Sequence, residues 1–457
     1  MKRNIFISLV WILLVMMTST GVLFGQEDGF TDIFGTDEAV ESEEDIISDG
    51  GYTSGVLNVN ISGEIGLTMK SYLNEGLNSE FTTSPRMKLD IAPVAGDLEG
   101  FASFKVDDWT LDPDVAPEEM IDEMYLRYFF SAGYLEAGLK KVEWGKGDGI
   151  HVIDNINPLN QSGGIVPDIN EMKDPMNMVK LNLYTGANGL AEFIYIPMFE
   201  GYTIADDGRW ALVNPADFPN LTIRERGGIA DFTGAIRYTT VLGSMDLGGQ
   251  YYYGYKPEPG YKVESEFTGT DPYDPTHYTV STELVYTRAH LFGLEAGWAA
   301  GPFTFRAEAG YWLTEDFKGD QPELYNNSLV CLGGVDFTLP GTNLFFSIQA
   351  TETYVINYND LTDTDVDFLA AYDDKPTTTN IIPALDLPFG KEKFKLRIGG
   401  VYLVEAGGWM ATQELFYYPV DDMEISVSGQ LFGGEKDSHY KTWKDNGNIA
   451  LEFKYIF

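Results

Sequence analysis

The last ten residues, Asn448 to Phe457, alternate almost without a break. Ile449, Leu451, Phe453, Tyr455 and Phe457 fall on one side, and Asn448, Ala450, Glu452 and Lys454 on the other. Successive side chains of an extended chain point to opposite faces, so this is a strand with one apolar and one wet side. The strand ends on a terminal Phe. A barrel whose final strand closes on its first is expected to stop this way. An ordinary half-buried edge strand is the alternative.

The start of the chain bears on that choice. Lys2 and Arg3 precede an apolar run from Ile5 to Met17, followed by Ser19, Thr20 and Gly21. A charged start, an apolar middle and a small-residue exit describe a secretory signal peptide, with cleavage expected after Gly21 or Gly25. The run is too short, and too soon followed by acids, for a membrane-anchoring helix. Residues 26–50 are acidic and sparsely apolar (Glu41, Glu43, Glu44, Asp45, Asp49) and read as a disordered periplasmic tail. The remainder, 51–457, is assigned to the barrel.

Beyond the signal no apolar run is long enough to span a membrane as a helix, and mean hydropathy is only −0.15. A transmembrane barrel tolerates this, because only alternate residues meet lipid. Aromatics at 14% suit interfacial girdles, and 49 glycines suit tight turns and close strand contacts. The single cysteine, Cys331, excludes an internal disulfide framework, and its register places it on the outer face. Removing the two signal-peptide cations from a net charge of −40 leaves the mature chain near −42. Nucleic acid is thereby excluded as a partner, since phosphate binding needs clustered Lys and Arg.

The same period of two recurs along the chain. Leu57, Val59, Ile61, Ile65, Leu67 and Met69 begin it, Phe303, Phe305, Ala307, Ala309 and Tyr311 repeat it, and Phe394, Leu396, Ile398 and Tyr402 repeat it again. Tight Gly, Pro or Asp turns, such as Val94–Asp97, Ala299–Pro302 and Pro419–Asp422, alternate with mostly longer connections such as Gly145–Pro175, Phe199–Arg226, Lys256–Tyr278 and Val355–Pro376. This pattern predicts an all-β, antiparallel, up-and-down transmembrane barrel. It has short periplasmic turns, long outer loops and about eighteen strands, with sixteen as the alternative. Such a barrel leaves an aqueous lumen.

The wet faces carry both charge signs. Glu123 and Arg127, Asp231 and Arg237, and Glu452 and Lys454 lie two to six positions apart on one face. Together with Lys140, Lys395 and Arg397 they are the expected lumen wall, either pairing with neighbours or setting a selectivity field. The connection from Glu143 to Pro175 holds Trp144, Ile150, Val152, Ile153, Ile156, Ile165 and Val166, which an exposed loop would avoid. It is expected to fold inward and narrow the pore, an external cap being the alternative. Trp144, Asp148, Asn157 and Pro158 belong to this constriction, where Asp154, Asp168, Glu171 and Asp174 would place carboxylates and favour cations modestly.

Two resemblances follow. The ending through Phe453, Tyr455 and Phe457 resembles the C-terminal assembly signal of outer-membrane barrels, which implies the barrel-assembly machinery and outer-membrane lipid as partners. Glu143–Trp144–Gly145, Asp148, the Asp154–Asn155–Ile156–Asn157–Pro158 run and Ile194–Tyr195–Ile196–Pro197 resemble a family of proteobacterial outer-membrane barrels of unassigned function, akin to alginate-export porins. Lys444–Asp445–Asn446 before the last strand adds to it, and the resemblance covers about a third of the chain. Where that family often has a basic–Gln pair before Trp–Gly, this chain has Leu139 and Lys140, so no solute contact is carried over there. The family implies an outer-membrane channel or transport role.

Enzyme chemistry finds no footing. None of His151, His277, His290 and His439 has a nucleophile motif beside it, and no metal-ligand spacing of Cys and His occurs. Asp363, Asp365 and Asp367 make an acidic outer loop that is a candidate for divalent cations, but without the glycine of a calcium-loop turn it reads as solvated. No cofactor is expected. The expected role is a porin-like channel for small polar or amphiphilic solutes in the outer membrane of a diderm bacterium. The alternative is a structural or adhesive barrel with a plugged pore.

Overall fold

The computed structural model describes residues 57–457 apart from 76–80, 108–109, 112–116, 166–168, 206–207, 212–221, 224–230, 269–277, 363 and 436–437. The expected signal peptide and acidic tail lie outside the described residues, as does Asp168.

The first seven strands are β1 (Asn58–Tyr72), β2 (Thr82–Ala95), β3 (Leu98–Val106), β4 (Ile121–Phe130), β5 (Gly133–Lys140), β6 (Met176–Thr185) and β7 (Gly189–Ile196). The next seven are β8 (Thr222–Ile223), β9 (Thr233–Leu242), β10 (Met245–Tyr255), β11 (Gly260–Phe267), β12 (Tyr278–Val285), β13 (Arg288–Ala300) and β14 (Phe303–Thr314). The last seven are β15 (Ser328–Thr338), β16 (Phe345–Val355), β17 (Thr377–Phe389), β18 (Phe394–Leu403), β19 (Gly408–Val420), β20 (Met423–Gly433) and β21 (Asn448–Ile456). All but β8, β11 and β12 join one 18-stranded antiparallel sheet in which each strand pairs with the barrel strands before and after it. The sheet closes where β21 pairs with β1 from Glu64↔Ile456 to Tyr72↔Asn448. Phe457 completes the seam by exchanging both backbone hydrogen bonds with Gly63, each 2.9 Å. The remaining three strands form a small sheet in the connections, β8 lying parallel to β12.

Taken once round the barrel, the ladder registers return to β1 displaced along its line by roughly 22 residues from where they start. With strands ~4.8 Å apart this means a tilt of roughly 40° and a backbone diameter of roughly 35 Å. Short turns crowd one rim, and the longer connections the other, except Val404–Gly407, which is only four residues. The outward faces are apolar and largely exposed: Ile61, Leu126, Leu294, Phe305 and Leu431 are examples. Aromatics ring both ends. Trp298 stacks on Phe305 and Phe394 on Tyr417 near the short turns, while Tyr354, Tyr402 and Trp409 stand near the long connections. Trp409 and Tyr417 are eight residues apart on β19, roughly 20 Å of height after tilt, close to the apolar band of a membrane barrel. Cys331 is exposed on this outward side.

Candidate functional site

The 141–175 connection does not rest outside the barrel. Trp144, Ile153 and Ile156 pack with inward-facing Met178, Ile194, Tyr252, Leu291, Trp312 and Val330 in one buried cluster. Ile150 and Ile165 pack on a second cluster across the lumen, built from Ile382, Val401, Leu403, Met410, Phe432 and Trp443. Much of the inner wall is therefore apolar, and the connection covers it, which removes both surfaces from water.

Polar groups fix its path. Glu308 on β14, its side chain fully buried, accepts backbone N–H bonds from Lys146 (2.7 Å), Gly147 (2.7 Å) and Val152 (2.8 Å). The Glu308 carboxylate also meets His151 Nδ1 at 2.9 Å, and His151 Nε2 lies 3.0 Å from Glu143. Burial works against a charge on His151, yet the bonds to Glu143 and Glu308 outweigh it and raise its pKa to about 10. Gly145, at φ +123°, brings the backbone close enough that a side chain there would strike Glu308 and His151. Gln349 on β16 exchanges two bonds with the backbone of Asp148, at 2.9 and 2.6 Å. Gln250 on β10 donates to the Ile153 carbonyl, and Gln430 on β20 to that of Ile165 at 3.2 Å. Glu171 crosses to Arg86 on β2 at 2.7 Å.

Asn157 closes the base of the connection. Its side chain accepts from Val142 N at 2.8 Å and donates to the carbonyls of Lys140 and Asp174, at 3.0 and 2.9 Å. Pro158 is buried beside it and its carbonyl accepts from Asp174 N at 2.8 Å. A second connection, 197–232, is zipped to the first through Thr203, which exchanges backbone bonds with Leu159 and Gln161. It reaches the far wall at Trp210, whose carbonyl accepts from Trp443 Nε1 at 3.2 Å.

The four expected carboxylates differ in setting. Asp154 is held by Lys173 at 2.7 Å. Burial opposes charge on Glu171, but Arg86 holds its carboxyl below the usual range. Burial pushes the half-exposed Asp174 up. Asp168 lies outside the described residues. The first two are thus neutralised by partners, which weakens the cation preference expected from them.

On the wall the expected same-strand pairs do not form. Arg127 pairs with Glu136 at 2.8 Å and Glu99 at 3.4 Å rather than with Glu123, which accepts from Lys141 N. Arg237 takes Glu295 at 2.7 Å and Glu192 at 3.2 Å, while Asp231 accepts from the Tyr255 hydroxyl. Lys454 lies 3.5 Å from Glu424 and 3.9 Å from Glu64, not on Glu452. The reason is spacing. Same-face neighbours along a strand are ~6.6 Å or more apart, whereas the neighbouring strand is ~4.8 Å away. The pairs therefore run sideways. Glu99, Arg127, Glu136, Lys180, Glu192, Arg237 and Glu295 form an alternating belt from β3 to β13, with Lys140 added 3.0 Å from Glu136. Arg397 is bonded to Asp386, and Lys395 sits over the Phe416 ring at 4.7 Å. Glu452 faces inward opposite Thr68.

The connections thus cover one part of the wall and leave another. Inward residues of β5 to β18 are mostly buried, as at Lys140, Lys180, Glu295, Glu308, Gln349 and Asp386. On β1 to β4 they are mostly open: Asn58, Asn60 and Ser62 are exposed, and Lys88, Asp90, Glu99 and Lys105 half-buried. In the outer loop around Asp365, that residue accepts from Thr362 and Asp367 accepts from Asn326 N, while Asp363 lies outside the described residues. Among the described residues no group of three His, Cys, Asp or Glu is arranged to hold a metal ion.

No family model matches the chain, so the family resemblance rests on its motif residues alone, and no curated protein matches it in sequence. Solved structures similar to it include a mutant of the Rh. blastica porin, at 10% identity over 88% of this chain and 100% of that one, with a TM-score of 0.40. A loop-deletion form of OmpT, an outer membrane protein of Vibrio cholerae, gives 10% identity over 88% and 99%, also at 0.40. The outer membrane channel DcaP of Acinetobacter baumannii gives 11% over 89% and 100%, again at 0.40.

Proposed function

We propose that this chain is an outer-membrane channel through which small polar or amphiphilic solutes diffuse along the β1–β4 wall. The outer membrane follows from a closed barrel with an apolar exterior and aromatic ends, since only closed barrels and helices satisfy their backbone in lipid. One observation carries the channel: the inward polar residues of β1 to β4 are mostly accessible, whereas those of β5 to β18 are mostly covered. The path is bounded by Lys88, Asp90, Lys105 and Arg86 on the wall and by Glu171 and Asp174 on the connection. Most charges along it are paired, so selectivity between simple ions is weak.

Planar-bilayer recording of the refolded protein tests this. In a Cys331→Ser background, single cysteines replace Asn60 or Lys88 on the open sector and Met178 or Ile382 on the covered one. A charged thiol reagent is expected to lower conductance at the first pair only. Equal block at both pairs places the path elsewhere. A folded barrel with no conductance favours a plugged barrel, to which the two apolar clusters across the lumen are suited.

A further inference from the structure

The outward faces of the barrel strands are apolar, with two acidic or basic exceptions below the rims among the described residues: His290 on β13 and Glu352 on β16. Glu352 is exposed, and its ladder partners Cys331 and Thr379 carry no charge to meet it. It lies seven residues along β16 from Phe345 at the short-turn end, roughly 20 Å up a tilted strand and still below the Tyr354 girdle. So near the girdle a lipid-facing carboxylate costs little, but it sets a charge on an otherwise apolar face that an opposite charge from outside the barrel can meet. His290 has given Nδ1 to the Tyr251 hydroxyl at 2.8 Å, and that bond does not use its Nε2.

The two groups are at one level. The ladder from Glu352 runs through Cys331 and Ala309 to Leu294. A stagger of roughly 22 residues over 18 strands shifts equal-height positions by about 1.2 residues per strand, here towards the long connections. Three strands back from Glu352, the level residue on β13 is therefore His290. The midpoint of the two falls between β14 and β15. Just towards the short turns, Ala296, Ala307, Gly333 and Ala350 lie in register on β13 to β16, so the surface is low and another backbone can approach closely.

We propose that this face is a contact between two copies of the chain, related by a two-fold axis along the membrane normal. A two-fold between β14 and β15 lays β13 of one copy against β16 of the other. Glu352 then meets the partner subunit's His290, and the contact occurs twice, as isologous symmetry requires. Neither group finds such a partner within one barrel, because three strands separate them. The proposal rests on the membrane reading, and the two fail differently. A chain absent from the outer-membrane fraction sinks that reading, whereas a membrane-resident monomer sinks only the dimer.

The unaltered chain supplies the first test. Cys331 is its single cysteine and lies one strand from Glu352, beside the axis. A short, membrane-permeant bis-maleimide applied to intact membranes is expected to give a covalent dimer. Native mass spectrometry of the detergent-extracted protein is expected to show the same mass without reagent. Glu352→Gln and His290→Gln should each weaken the dimer at least tenfold, and the exchange His290→Glu with Glu352→His should restore it. Heat-modifiability confirms that each variant is folded. A native chain that stays monomeric and uncrosslinked overturns the proposal, and so do folded single variants that dimerise like the parent.

Discussion

Replacing Glu308 by Gln keeps the side chain's size and removes its charge, which isolates what the carboxylate does for the inward connection. Three backbone N–H groups and the His151 ring converge on it. Hydrogen bonds to a charged group contribute roughly 1.5–3 kcal/mol each. The single acceptor oxygen of an amide can keep about two of these bonds, and its NH2 faces donors. The loss is therefore roughly 3–6 kcal/mol, which raises the detached population of residues 145–152 by a factor of about 10² to 10⁴. The connection as a whole stays inside, because Gln349 still holds Asp148 and Arg86 still holds Glu171. The expected result in single-channel recording is frequent brief openings to a larger conductance, with an unchanged long-lived level. A second readout is labelling of a cysteine placed at Lys146 in the Cys331→Ser background, expected to quicken at least tenfold. If folded Glu308→Gln barrels record with the parent's noise and conductance, and the label reacts no faster, Glu308 does not position the loop.

Three further outcomes are expected. The charged form of His151 is favoured by the fold, so its contribution is fully present below its unfolded pKa and is lost as pH rises through about 10; channel noise should therefore rise above that pH in the parent, and His151→Gln should abolish the step. Deleting Phe457 removes both bonds to Gly63 and should lower insertion several-fold while secretion across the inner membrane is unchanged, as fractionation would report. Asp154→Asn strands the buried Lys173 and should destabilise the barrel by about 3–5 kcal/mol, read as an earlier loss of heat-modifiability; unchanged stability would mean that the pair is solvated.

What the sequence made legible was local. Alternation names the faces of each strand without knowledge of its neighbours, so strand number, turn positions and the outward place of Cys331 could be read from residues a few positions apart. The apolar residues of the 143–175 connection were equally plain. Its anchors were not. Glu308, Gln349, Gln250 and Gln430 look like any polar residue on a wet strand face, and their partners are up to 265 positions away. Nor could same-strand spacing find ion partners, because Arg127 and Arg237 reach across strands that only the closed register brings together.

One pattern was in the sequence but was masked by the expectation of a wet lumen. Met178, Ile194, Leu291, Trp312, Ile382 and Leu403 occupy inward positions near the long-connection ends of their strands, where a water-filled barrel would have polar groups. An apolar inward residue in a barrel this wide has only two ways to leave water: another strand, which curvature forbids, or chain from a connection. The Trp and Ile residues of the 141–175 connection and Trp210 are that chain. The same reasoning runs in reverse on β1 and β2, where inward Asn58, Asn60, Ser62, Lys88 and Asp90 offer an apolar loop nothing to bury against. The division between covered and open wall is therefore written in the inward-facing residues themselves, and the wet sector is where solute is expected to pass.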